Sequence, residues 1–162
     1  MYRTGHYGVS LLVYAPVGAA LLRADAPLLA VLGGTVMVAL ASFPDVDLRI
    51  PFVPHRGPTH TLWFALVVGA GTGAVGYYSA GLFELAPMTL ARFGFAVGTF
   101  AIVAHLLGDV LTPMGIEPLR PLSSRNYSLR LTRADNTVAN WLLLALGVFA
   151  TVVVLGLAGR VA

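Results

Sequence analysis

Val138 to Gly159 reads VANWLLLALGVFATVVVLGLAG, a run with no charged side chain. A helix of about 20 residues at 1.5 Å rise crosses the hydrocarbon of a bilayer, where only a helix or a closed barrel satisfies its own backbone. Working back toward the N-terminus, comparable apolar runs lie at 88–112, 60–82, 26–43 and 7–22. The three C-terminal runs predict full spans. The first two are shorter and Pro16 interrupts the first, so a short tilted pair, a kinked pair or a partly re-entrant hairpin is expected there. The expected fold is an all-α membrane protein, a bundle of about five transmembrane helices forming one domain over residues 1–162.

Composition agrees. The 162 residues are 57% hydrophobic and 10% charged, with a mean hydropathy of +0.82, whereas soluble domains carry about 25% charged residues. The longest polar stretch, Glu117 to Thr137, is only a loop between apolar runs, which leaves no room for a separate soluble domain. There is no cysteine, which excludes disulfides, thiolate ligands and cysteine nucleophiles. The net charge of +3 comes from arginines without any lysine, and no basic run long enough for a nucleic-acid-binding arm exists. Arg3 and the small residues of VGAA also suggest a signal peptide, but the segment lacks a clean cleavage signal and soon enters another apolar run.

With five spans, the N-terminus and the loops after spans two and four share one side. That side carries Arg3, Arg49, Arg56, Arg120, Arg125, Arg130 and Arg133, against Arg23, Arg92 and Arg160 opposite. The positive-inside rule predicts a multi-pass protein of the cytoplasmic membrane with its N-terminus and both polar loops in the cytoplasm and its C-terminus outside.

The same topology gathers the residues that bind metals. His6 precedes span one, Asp45, Asp47 and His55 lie in the loop after span two, His60 opens span three, and His105 and Asp109 lie in the last turns of span four. Imidazole and carboxylate are the ligand set of zinc and related ions. If span four stays helical, His105 and Asp109 at i and i+4 share a face, one turn apart. In an extended FPDVD loop, Asp45 and Asp47 project to one side and face one ion or bridge two. Ionisable groups inside a span are costly and point to a functional site. A divalent metal is expected, zinc first, with manganese, iron or magnesium as alternatives and one or two ions in all.

HRGPTH, His55 to His60, adds a planar cation and a tight turn. Arg56 suits an anionic group, His55 a proton transfer, and Thr59 stands where a cap of span three is expected. In the later loop Ser123, Ser124, Arg125 and Tyr127 fit an anion-binding lid, or equally an ordinary loop touching headgroups. Asn126-Tyr127-Ser128 matches a glycosylation acceptor, but on the side predicted to be cytoplasmic. GAGTGAVG, Gly69 to Gly76, contains GxGxxG without the strand and turn a dinucleotide site requires, so Gly69 and Gly73 read as a close-packing helix face.

HYGVS (6–10), FPDVD (43–47), HRGPTH (55–60) and HLLGDVLTPMGI (105–116), in this order between apolar spans, resemble the YdjM-type inner-membrane metal-dependent hydrolase family from about Gly5 to Pro121. The resemblance implies metal dependence and hydrolysis, with no substrate. It sets His6, Asp45, Asp47, His55, His60, His105 and Asp109 on the family's recurrent polar positions, and Thr112 and Gly115 at the end of its HxxxD motif. Pro58 and Thr61 depart from the residues relatives often carry there.

The expected function is a hydrolase in which metal-activated water attacks at the cytoplasmic membrane face. His6, Asp45, Asp47, His60, His105 and Asp109 are the expected ligands, His55 and Arg56 the catalytic groups, and Thr59, Ser123, Ser124, Arg125 and Tyr127 the substrate contacts. A site at headgroup level favours a lipid or lipid-phosphate substrate within the bilayer. The competing reading is a metal transporter or a structural metal site. Without an internal repeat, a five-span transporter would have to oligomerise, and its ligands belong near the midplane rather than at one edge.

Overall fold

The structure, a computed structural model, describes residues 1–158. Five α-helices follow one another: α1 (Arg3–Arg23), α2 (Pro27–Leu40), α3 (Leu62–Ser79), α4 (Pro87–Val110) and α5 (Thr137–Ala158). Short 3-10 turns occupy Pro44–Arg49, Pro58–His60 and Ala80–Phe83. The five apolar stretches are each long enough to cross a membrane, the second by counting Pro27–Arg49 as one unit. Arg160 lies outside the described residues.

Of the N-terminal pair expected to be short, α2 is short and α1 is not. α1 runs 21 residues straight through Pro16, whose missing N–H and ring are accommodated on an exposed face of the helix. α2 has 14 residues, about 21 Å at 1.5 Å per residue, and falls short of the hydrocarbon thickness. The 3-10 turn Pro44–Arg49 continues its path. Tyr14 on α1 donates its hydroxyl proton to the Ala30 carbonyl of α2 at 2.9 Å, which fixes the hairpin.

The core joins Tyr14 of α1, Met37 of α2, and Val97, Ala101 and Ala104 of α4. α3 packs most extensively on α4, and α5 on α1. On the α3–α4 seam a Cβ at Gly69 would collide with Thr99 and the Phe95 carbonyl, and one at Gly73 would crowd the Ala91 carbonyl, as the small-residue reading requires. Trp141, Leu142, Phe149 and Val152 of α5 stay exposed, as do Val67, Val75 and Tyr78 of α3. Such faces are out of place in water and suit hydrocarbon.

The connection from α4 to α5 folds back onto the end of α4. Ile116 and Tyr127 exchange backbone hydrogen bonds of 3.1 and 2.9 Å, and the N–H groups of Leu129 and Leu131 reach the carbonyls of Val110 and Leu111. Gly115 sits at φ +64° with Asn126 and Tyr127 pressed where a Cβ would stand, so a side chain is excluded there.

Candidate metal centre

Four elements converge at one end of the bundle. His6 comes from the first turns of α1, Asp45 and Asp47 from the 3-10 turn after α2, His60 from the 3-10 turn before α3, and His105 and Asp109 from the end of α4. His6, His60, His105 and Asp109 are fully buried, and the Asp45 side chain is 19% exposed. α4 stays helical through Val110, so His105 Nε2 lies 3.4 Å from Asp109 Oδ2, as the i, i+4 spacing predicts.

The separations have the scale of a coordination sphere. Donors about 2.0–2.2 Å from a tetrahedral zinc ion lie about 3.3–3.6 Å from one another. Here His60 Nε2 is 3.3 Å from Asp109 Oδ2 and 3.6 Å from Asp45 Oδ1. His105 Nε2 is 3.6 Å from Asp45 Oδ1 and 3.2 Å from His60 Nε2. His6 Nε2 is 3.7 Å from Asp109 Oδ1 and 3.8 Å from Asp45 Oδ2, with its ring stacked on that of His105 at 3.8 Å.

Hydrogen bonds on the far ring nitrogens decide which lone pairs face inward. His105 Nδ1 lies 2.8 Å from the Ala41 carbonyl, an acceptor only, so the proton is on Nδ1 and Nε2 is bare. His55 Nδ1 is 3.0 Å from Asp47 Oδ1, and His60 Nδ1 is 3.3 Å from Asp47 Oδ2, with the same consequence. The bare Nε2 atoms of His60 and His105 therefore confront carboxylate oxygens. Asp109 Oδ2 is buried without a hydrogen-bond partner among the described residues. An unsatisfied buried charge costs more than the 1–3 kcal/mol of a neutral group. Lone pairs packed this way repel unless a cation or a proton stands between them. The amino group of Met1, itself cationic, donates to Asp109 Oδ1 at 2.9 Å and to His6 Nε2 at 3.2 Å. The donor set and its orphaned oxygen fit a divalent ion of zinc type.

His60 carries the same signature. Burial works against its charged form, but the carboxylates of Asp109, Asp45 and Asp47 around it outweigh burial and hold its pKa above the ordinary 6.5.

Asp47 takes a different place from Asp45. FPDVD is not extended: at three residues per turn, side chains two apart in a 3-10 turn diverge by about 120°, so the two carboxylates do not share a side. Asp45 faces the three imidazoles. Asp47, also buried, accepts from His55 Nδ1, the Arg56 backbone N–H at 3.1 Å and the Thr59 hydroxyl at 2.8 Å. Thr59 is therefore no helix cap. Thr61, in extended conformation, caps α3 by accepting from the Phe64 N–H.

Arg56 is committed to the protein. Its guanidinium donates to Asp109 Oδ1 at 2.8 Å, to Thr112 Oγ1 at 3.0 Å and to the Gly115 carbonyl at 2.9 Å. These bonds and the one from its N–H hold it at φ +60°, a strained conformation for a residue with a side chain. A cavity of about 470 Å³ opens beside the cluster, lined among others by His55, Arg56, Thr112, Met114 and Arg133. Ser123, Ser124, Arg125 and Tyr127 are not among the residues lining it. Arg125 instead stands over the Tyr127 ring at 5.3 Å. The same loop sends Arg133 to the cavity, paired in the open with Asp135 at 3.0 Å.

Sequence reasoning passed over Asn140. Its Oδ1 accepts from the Tyr2 N–H at 3.0 Å, and its Nδ2 reaches the carbonyls of Asn136 and Ala134, so it sews the start of α1, and with it His6, to the start of α5. The legible signal was a lone amide three residues into an otherwise apolar span.

Residues 1–161 match the family model described as YdjM inner membrane protein, and the chain belongs to that family. No curated protein and no solved structure matches it.

Proposed function

We propose that this member of the YdjM inner membrane protein family is a metal-dependent hydrolase acting on an amphiphilic, lipid-like substrate, with phosphate-containing lipids foremost. The observation that carries the reading is the confrontation of bare imidazole Nε2 atoms with Asp45 and Asp109 at 3.3–3.8 Å, around a buried carboxylate oxygen without a partner. His6, His105, Asp45 and Asp109 would hold a divalent ion, zinc being the best match to the donors. Such an ion acidifies water from a pKa of 15.7 to about 7 and polarises the bond under attack.

The residues around it have separate tasks. Arg56 pins Asp109 by one oxygen and leaves the other to face the histidines. Ala41 fixes the tautomer of His105. Burial by α1 and α4 excludes bulk water from the ligands, which strengthens every charge interaction within. Among the described residues the Arg133 side chain pairs only with Asp135, an exposed ion pair worth about 0–1 kcal/mol, so an anionic headgroup in the cavity would compete with Asp135 for it at little cost.

The cluster sits at the helix ends, which favours chemistry at headgroup level over transport, whose ligands belong near the midplane. The arginine excess on this end supports a site at the cytoplasmic face. The test is metal analysis of the purified chain, then a hydrolysis screen on lipid phosphates, esters and amides with and without chelator. Product formation abolished by chelator and restored by zinc or manganese is expected. A metal-loaded protein that cleaves none of the panel yet carries the ion into liposomes overturns the reading.

A further inference from the structure

The four histidines do not form one set. Ligand atoms of His6, Asp45, His105 and Asp109 all lie within 4.8 Å of one another, and so do those of Asp45, His55 and His60. The two groups share only Asp45. We infer a second divalent-cation position, held by Asp45, His55 and His60 on the cavity side of the first, an inference that deepens the hydrolase reading and rests on it.

Three observations carry it. First, Asp47 lies on the Nδ1 sides of both His55, at 3.0 Å, and His60, at 3.3 Å. A carboxylate on the far nitrogen is how proteins orient and strengthen metal-binding imidazoles, and here one carboxylate serves two rings. Their planes stand at 84° with centroids 5.3 Å apart. Second, Asp45 faces both groups: Oδ1 is 3.6 Å from the Nε2 atoms of His60 and His105, and Oδ2 is 3.8 Å from His6 Nε2. Oδ1 thus stands between a histidine of each group, where an oxygen shared by two ions would stand. Third, His60 is wholly buried, while His55 lines the cavity with its side chain 33% exposed. The second position thus lies between a sealed interior and the space a substrate would enter. His55 then becomes a ligand rather than a carrier of protons.

Two neighbouring cations stabilise both the attacking and the leaving oxygen of an in-line displacement, so the substrate class narrows to phosphate esters of amphiphiles. Hydrolysis there forms a bond from the water oxygen to phosphorus and breaks the ester P–O bond. One water proton ends on the leaving alcohol and the other passes to solvent.

The test uses the full chain in detergent, loaded with Mn²⁺ and freed of excess ion, with metal per chain measured by mass spectrometry and electron paramagnetic resonance recorded at low temperature. Two ions per chain and an exchange-coupled signal are expected, falling in His55→Gln to one ion and the signal of an isolated centre. One ion per chain in the native protein, or two retained in a folded His55→Gln, overturns the second position and leaves the hydrolase reading standing. A native protein that binds no ion removes both. The native stoichiometry decides the matter even if the variant fails to fold.

Discussion

Replacing Asp47 with asparagine isolates the orienting role of a carboxylate. Asp47 is buried and takes the Arg56 N–H at 3.1 Å and the Thr59 hydroxyl at 2.8 Å on Oδ2, beside His60 Nδ1 at 3.3 Å, and His55 Nδ1 at 3.0 Å on Oδ1. Asparagine keeps the size but must turn an NH₂ to one side. With most of the donors on Oδ2, its oxygen stays there and its NH₂ meets His55. His55 Nδ1 must then accept, which moves the ring proton to Nε2 and blocks the lone pair that would otherwise be free to bind a cation. The lost charge also weakens the hold on His60. Changes to such outer partners lower metal affinity about 10- to 100-fold, or about 1.4–2.8 kcal/mol. Alanine is the poorer choice, because each buried donor left without an acceptor costs about 1–3 kcal/mol and the turn would come apart. Competition titration against a chelating dye, with circular dichroism to confirm helix content, reads the effect. A folded Asp47→Asn protein with undiminished affinity for every ion it binds would refute the reasoning.

Three further outcomes follow from the same geometry. In Arg56→Lys one ammonium cannot reach Asp109, Thr112 and the Gly115 carbonyl together, so at least one buried partner is stranded and stability falls by about 1–3 kcal/mol, seen as a lower melting temperature in detergent; an unchanged melt would deny the clamp. Because the pKa of His60 is raised above 6.5 in the fold, its contribution to the metal-free protein is complete below that value and is lost as pH rises through the elevated one. With chelator present, the melting-temperature lead of the native chain over His60→Gln should therefore shrink as pH rises from 6.5, and a growing lead would contradict the assignment. The cysteine-free chain also permits clean topology mapping. A single cysteine at Glu84 should label from outside intact cells and one at Arg49 should not, whereas the reverse moves the site to the outer face.

What the sequence determined by itself was whatever depends on local periodicity and solvent preference. Runs such as 138–159 and 88–112 announce membrane helices because no other open structure satisfies a backbone in hydrocarbon. The i, i+4 pair His105 and Asp109 was legible for the same reason, since helix geometry dictates it. Alternation of span directions even collected the ligands at one end. Tertiary structure decided everything that depends on which side of a short turn a group faces. A 3-10 turn instead of an extended FPDVD sent Asp45 to the histidines and Asp47 behind them. The cap passed from Thr59 to Thr61, and Arg56 was drawn inward onto Asp109. Arg133 rather than Ser123, Ser124 or Arg125 came to line the cavity, because the loop is laid back on α4 by backbone bonds whose partners lie far apart in the chain. Such bonds carry no residue code. Carbonyls such as Ala41 and Gly115 accept from whichever donor the packing delivers, so those partners exist only once the helices have met.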